Sequence, residues 1–114
     1  MPVSRTIGPL TATLEEDELV FRFHDPLTMA LEVPATLEHD LNQFIEEHKE
    51  SLSGCQLLVD LQGVSGINSR QLGVMLALRQ VLAAQGSLAL RGLSQGVKRL
   101  LAMTRMEHFF HAVP

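Results

Sequence analysis

The sequence predicts one α/β domain, residues 1–114, in which helices connect the strands of a mixed, mostly parallel sheet. Three observations favour this fold class. A chain of 114 residues suffices for one compact domain and is too short for two. Hydrophobic residues make up 46% and charged residues 19% of the chain, as in ordinary globular proteins. Short apolar runs alternate with longer helical segments, which is typical of crossover connections between parallel strands.

The N-terminal half predicts an antiparallel hairpin, a helix and a buried strand. Polar and apolar residues alternate over 11–14 and again over 19–23, and the acidic run 15–18 separates the two segments as a turn. Apolar residues then recur at helical spacing, which predicts a helix over 35–49. The apolar run 56–61 is short enough to be a buried strand.

The C-terminal half predicts two further helices and two further strands. A turn rich in Gly and Ser, residues 62–69, leads into a long apolar stretch of helix-favouring residues over 72–84. Residues 87–90 have the pattern of a second buried strand, and a helix is predicted over 95–103. A short strand over 109–113 completes the order β-β-α-β-α-β-α-β, with the helices expected largely on one face of the sheet.

Composition argues against several classes of protein. The apolar runs are shorter than the ~20 residues that a membrane span requires, and no secretory signal follows Met1. The single cysteine, Cys55, cannot build a disulfide framework or a thiolate metal site. These features predict a cytoplasmic protein without a membrane segment. Five Phe and no Trp or Tyr leave few stacking platforms for nucleic acid.

Charge is distributed unevenly along the chain. Residues 1–60 contain twelve acidic and three basic side chains, whereas residues 61–114 contain one acidic and six basic ones. Attraction between the two halves of one domain explains this asymmetry, and a basic face that meets an acidic partner is the alternative. A net charge of −4 disfavours nucleic acid as that partner.

Motifs for catalysis and for cofactor binding are absent from the sequence. The glycines do not form a dinucleotide fingerprint, and neither a G-x-x-x-x-G-K-[ST] loop nor a G-x-S-x-G elbow occurs. His108 and His111 flank two phenylalanines, which makes a poor metal site. We therefore expect no catalytic residue, no cofactor and no metal, and a binding protein rather than an enzyme.

Two features of the helix after the Gly/Ser turn indicate a contact surface. Asn68 or Ser69 can cap this helix, whose free backbone N–H groups then face an anion or a partner. Arg70 in the first turn opposes the helix dipole, so we expect it to serve something other than helix stability. The apolar side chains span an arc of about 220°, wider than a helix on a sheet requires. Either a neighbouring helix covers the remainder, or positions such as Val74 and Leu78 are exposed to a partner.

Five segments together carry a family resemblance: 57–64 (LLVDLQGV), 67–69, 72–74, 88–94 and 97–101. Their order and spacing resemble the STAS domain, the family of bacterial anti-sigma factor antagonists. The resemblance implies a mixed sheet with helices largely on one side. It also implies that an anti-sigma kinase binds the turn and the following helix, and phosphorylates a serine at the start of that helix.

The expected phosphorylation site departs from the family pattern. The usual stretch Asp-Ser-Ser-Gly-Leu-Gly corresponds to residues 68–73, which read Asn-Ser-Arg-Gln-Leu-Gly. Arg70 stands at the position of the phosphorylated serine and has no hydroxyl, and Gln71 adds bulk where the family has glycine. Phosphate would bring a charge of about −2, whereas Arg70 carries +1 permanently. We expect the usual switch to be lost, or moved to Ser69 or Ser65.

The sequence thus predicts a non-enzymatic bacterial signalling module whose partner is an anti-sigma factor, a histidine-kinase-like ATPase, or another regulatory protein. The expected partner-binding residues are Gly66, Ile67, Asn68, Ser69, Arg70, Gln71, Val74 and Leu78. One alternative is an accessory subunit of a stressosome scaffold or a lipid-transport ABC system. Another is a sensor that holds an anion or nucleotide at Arg70. The family often adds a helix after the last strand, whereas this sequence ends at Pro114. Absence of that helix would expose sheet or helix surface for self-association, so a homodimer is a further alternative.

Overall fold

Six strands of the described chain form one sheet, in which the spatial order of the strands is their order in the sequence. The computed structural model describes residues 3–23, 35–64 and 66–113. Its strands are β1 (Val3–Ile7), β2 (Leu10–Leu14), β3 (Glu18–Phe23), β4 (Gln56–Asp60), β5 (Leu88–Arg91) and β6 (His111–Val113). Its helices are α1 (Leu37–Glu47), α2 (Lys49–Leu52), α3 (Ser69–Leu82) and α4 (Gln95–Met103), and a 3-10 turn (Met106–His108) precedes β6.

The sheet is mixed, as the sequence predicts. Strands β1, β2 and β3 pair antiparallel, whereas β3, β4, β5 and β6 pair parallel. Each parallel step along the sheet contains a helix in the intervening chain, which is the usual way to return a strand in the same direction. The expected α/β fold with an N-terminal hairpin is confirmed.

Two elements differ from the sequence expectation. Strand β1 was not predicted, because it lies at the edge of the sheet and buries only Ile7, so its residues carry almost no apolar alternation. The single helix expected over 35–49 is instead two helices, α1 and α2, which His48 separates. Helix α3 begins at Ser69, in agreement with the expected cap at Asn68 or Ser69 and with Arg70 in the first turn.

The hydrophobic core lies between the helices and one face of the sheet. Strand residues that alternate along β3, β4 and β5 contribute to it together with the buried side chains of all four helices. The intervening strand residues Val20, Leu58 and Ala89 form a separate small cluster on the other face. This alternation confirms that the helices occupy one face of the sheet.

The carboxyl ends of β4 and β5 bring two turns together at one edge of the sheet. The Leu61 N–H donates to the Arg91 carbonyl at 2.8 Å, directly after the two strands. Gly92 has a φ of 72°, and a Cβ there would lie 2.8 Å from the Gln62 backbone nitrogen. Only glycine fits this close approach. From this edge the chain enters α3 and α4, so both helix N-termini lie at the same edge of the sheet.

Candidate partner-binding site

The start of α3 is fixed by a reciprocal pair of hydrogen bonds. The Gln71 N–H donates to Asn68 Oδ1 at 2.8 Å, and the Asn68 N–H donates to Gln71 Oε1 at 2.8 Å. This is a capping box, which satisfies two backbone donors that a helix start leaves without partners. Asn68, rather than Ser69, is therefore the residue that caps the helix.

The capping box gives a structural reason for one departure from the family pattern, Gln71 in place of glycine. Gln71 is only 6% exposed because its side chain folds back onto the Asn68 backbone. A glycine at 71 has no side chain with which to make this bond. The expectation that Gln71 adds bulk toward a partner is therefore wrong: the side chain belongs to the helix cap.

The structure separates the eight predicted partner-binding residues into two groups. Gly66, Asn68, Ser69 and Arg70 are exposed around the start of α3. The other four are buried: Ile67, Gln71, Val74 and Leu78. Ser65, one of the two alternative phosphorylation sites, lies outside the described residues.

The prediction that Val74 and Leu78 are exposed is wrong. They are 1% and 0% exposed and belong to the main core. Helix α1 packs against α3, so the wide apolar arc of α3 meets both the sheet and a neighbouring helix. Of the two explanations left open for that arc, coverage by a neighbouring helix is the correct one.

A groove runs between the start of α1 and the first half of α3. Its volume is about 350 Å³. Arg70 and Glu38 contribute the charged side chains of its lining, and the remaining lining residues are small or apolar: Ala35, Leu37, Gly73, Val74 and Ala77. The groove residues at and just before the start of α1 were not predicted, because the contact between the two helices has no signature in either segment alone.

Gly73 occupies an exposed position inside α3, within this groove. A Cβ at this position would meet nothing within 4 Å among the atoms of the described residues. Glycine in a helix interior is less stable than alanine by about 0.5–1 kcal/mol. Packing within the described chain therefore gives no reason for glycine at position 73.

A buried carboxylate anchors the strand that leads to this site. Asp60 accepts hydrogen bonds from Gln62 N–H at 3.0 Å, from Arg22 at 3.0 and 3.2 Å, and from Arg91 at 3.3 Å. Burial by itself raises the pKa of Asp60, but these N–H and guanidinium groups outweigh it and hold the pKa below its ordinary value. Asp60 is therefore a carboxylate at neutral pH and ties β4 to both neighbouring strands.

Cys55, His108 and His111 are not among the residues that line the groove. Burial, followed by the charge of Asp17, raises the pKa of the Cys55 thiol, which disfavours the reactive thiolate. His108 and His111 are exposed beside β6. In the described ranges no group of three His, Cys, Asp or Glu side chains could hold a metal ion, and no helix has the length and apolar character to cross a bilayer.

Comparison with known proteins places the chain in a family. Residues 10–114 match the model of the STAS domain. Seven solved protein chains also match, among them a proposed anti-sigma factor antagonist from Thermotoga maritima. That protein has 18% sequence identity, a TM-score of 0.54, and an alignment that covers 89% of this chain and 82% of its own. No curated protein sequence matches. The fold agrees with the Thermotoga structure, and the family model spans nearly the whole sequence, so the chain belongs to the STAS domain family.

Proposed function

We propose that this chain is a bacterial regulatory protein-interaction module, similar to an anti-sigma factor antagonist, that binds its partner at the start of α3 and in the α1–α3 groove. Its membership of the STAS family supports the class of function. The partner is an anti-sigma factor, a histidine-kinase-like ATPase or another regulatory protein of the bacterial cytoplasm. The module acts by binding and catalyses no reaction.

The observation that carries this proposal is Gly73. It lowers the stability of α3, its backbone has a helical conformation that any residue can adopt, and no described residue fills the space over it. A glycine without a role in the fold is explained when the backbone of another molecule approaches it closely. The groove beside it offers an apolar floor and a charged rim, which is the usual composition of a small interface.

Arg70 gives this surface a permanent positive charge. The side chain is exposed at the second residue of α3 and lines the groove, at the position of the family phosphoserine. It cannot accept a phosphoryl group, so we propose that partner binding is constitutive. Ser69 is exposed at the first helical position, where phosphate would be stabilised by the helix dipole. A phosphate mapped to Ser69 after incubation with the partner kinase would contradict constitutive binding and show that the switch has moved by one residue.

The experiment that tests the site is affinity capture from lysate of the native host with matched variants. Gly73→Gln places a side chain in the groove, and Ala102→Gln places the same side chain on an exposed position of α4. We expect Gly73→Gln to capture at least ten-fold less partner than the wild type. Its melting temperature should stay equal or rise, because a helix-favouring residue replaces glycine. We expect Ala102→Gln to capture as the wild type does.

Charge reversal at the same surface gives a second readout. Arg70→Glu should no longer capture a partner that presents acidic side chains to the groove, because like charges across an interface repel each other. Equal capture by wild type, Gly73→Gln and Arg70→Glu would show that the partner binds elsewhere. Recovery of scaffold or transporter subunits by all three variants would favour the accessory-subunit alternative.

A further inference from the structure

A second concave surface lies at the C-terminal end of α3, at the opposite end of the helix from Arg70. Its volume is about 770 Å³, which lies within the usual range of small-molecule sites. The end of α3, the turn into β5 and the segment before β6 form its walls. Along α3, Arg79 of this surface follows Arg70 of the partner-binding groove by nine residues, a rise of about 13 Å, and the two linings share no residue. We call it the β6 groove.

The guanidinium of Arg79 is held in place at the wall of the β6 groove. Its Nε donates to the Phe109 carbonyl at 2.9 Å, and its Cζ lies 4.8 Å from the centroid of the Phe109 ring. Within the described residues Arg79 makes no other hydrogen bond or ion pair, so its two terminal amino groups keep their N–H donors. Two parallel donors on a fixed guanidinium match the two oxygens of a carboxylate or a phosphate.

The rest of the β6 groove combines an apolar floor with a polar rim. Leu76, Leu88 and Phe110 are largely or fully buried and line the floor. Ser87 and His108 are exposed and supply hydrogen-bonding groups at the rim. A depression in which polar groups converge beside an apolar floor can hold a small molecule, and this one adds the guanidinium of Arg79.

We propose that the β6 groove binds a small molecule in which a carboxylate or phosphate is attached to an apolar group. The anion pairs with the terminal amino groups of Arg79, and the apolar part lies against the floor of the groove. The Phe109 carbonyl and ring hold Arg79 in its orientation, so Phe109 is a positioning residue. This site is separate from the partner-binding groove and does not depend on the proposed function.

The probe is phenyl phosphate, titrated into the uniformly ¹⁵N-labelled full chain and followed by amide chemical shifts. We expect saturable shifts that are concentrated in residues 79–88 and 108–111. Arg79→Gln should weaken binding at least ten-fold, because hydrogen bonds between a guanidinium and an anion are charge-assisted. Arg99→Gln is the matched control: it removes the same charge from an exposed position of α4 that does not line the β6 groove, and it should leave the affinity unchanged.

Three further arms keep the proposal falsifiable. Inorganic phosphate and benzyl alcohol each carry half of the probe and should bind at least ten-fold more weakly than phenyl phosphate. Benzoate against phenyl phosphate distinguishes a carboxylate ligand from a phosphate ligand by which of them binds more tightly. Arg79→Lys keeps the charge but lacks the planar fork, so it should weaken binding several-fold and serves if the Gln variant unfolds.

The proposal is overturned by any of three results. Shifts that do not saturate, or that spread over all basic residues, would show unspecific attraction of the anion to positive charge. An equal loss of affinity in Arg99→Gln and Arg79→Gln would show the same. Unchanged affinity in folded Arg79→Gln would show that Arg79 does not hold the anion.

Discussion

Asp60 both links three strands of the sheet and holds the turn that follows β4. It is the last residue of β4, and it accepts hydrogen bonds from arginines of β3 and β5 on the face of the sheet opposite the helices. The same carboxylate accepts from the Gln62 N–H, in the turn that leads toward α3. Arg91 also pairs with Glu18, so this cluster joins the acidic first half of the sequence to the basic second half.

The depressed pKa of Asp60 predicts a loss of stability in acid. The unfolded chain binds a proton at this carboxyl more readily than the folded chain, whose neighbours favour the charged form. The stabilisation is therefore present above the ordinary Asp pKa of 3.8 and is lost as the pH falls through the lower pKa of the folded protein. Urea unfolding between pH 7 and pH 2 measures this loss.

Asp60→Asn is the variant that isolates the effect. It should be less stable than the wild type by about 1–3 kcal/mol at pH 7, because it removes charge-assisted bonds from two arginines. Its stability should fall less steeply in acid, so the two curves converge at low pH. Asp17→Asn, at an exposed turn position, is the control and should change stability by less than about 0.5 kcal/mol. Parallel curves for wild type and Asp60→Asn would contradict the assignment.

Helix α3 is the element on which both sites depend. Its first turn carries the capping box and Arg70, its middle carries Gly73, and its last turn carries Arg79. The buried side chains of α3 fix it between the sheet and α1. Because the helix is rigid, the partner-binding groove and the β6 groove keep a constant separation.

The reciprocal cap predicts that residues 68 and 71 are energetically coupled. Asn68→Ala should destabilise the protein by about 1 kcal/mol, which is typical for the loss of an N-cap. Gln71→Ala should remove the second bond, and the double variant should be less destabilised than the sum of the single changes. A double-mutant cycle by urea denaturation measures the coupling, and strict additivity would contradict a joint role. Ser69→Ala, between the two, is the control.

At the scale of the whole molecule, one core stabilises both grooves. Leu78 is fully buried within it, so Leu78→Ala removes buried side-chain atoms and leaves a cavity. We expect a loss of about 2–5 kcal/mol in the free energy of unfolding. Phe109→Ala deletes a side chain that is 43% exposed and should cost about 1 kcal/mol or less. Thermal and urea unfolding followed by circular dichroism distinguish these outcomes. Similar losses for both variants would contradict the burial of Leu78.

The sequence indicated most elements because their signals are local. Helical spacing and short apolar runs mark α1, α3, β4 and β5, and each pattern reports which face of its own segment is apolar. Strand β1 was not predicted, because an edge strand buries few of its side chains and therefore needs few apolar residues. The family resemblance likewise depends on short motifs in order, and the match over residues 10–114 confirms it.

The candidate site was predicted only in its chain position. The sequence placed Arg70 and Ser69 at the start of a helix, because turn residues and capping residues can be recognised within a short segment. It could not show that Gln71 folds back into a cap, or that Val74 and Leu78 are covered, because both depend on three-dimensional neighbours.

The sequence by itself determined the α/β class and the helix that carries Arg70 in its first turn. These properties depend on residue type and local periodicity. Only the tertiary structure decided which side of α3 is exposed and that α1 completes a groove beside Gly73. It also decided that Phe109 holds Arg79, thirty positions earlier in the sequence. The reason is physical: burial and long-range contacts depend on how elements pack, and one segment contains no record of its neighbour in space.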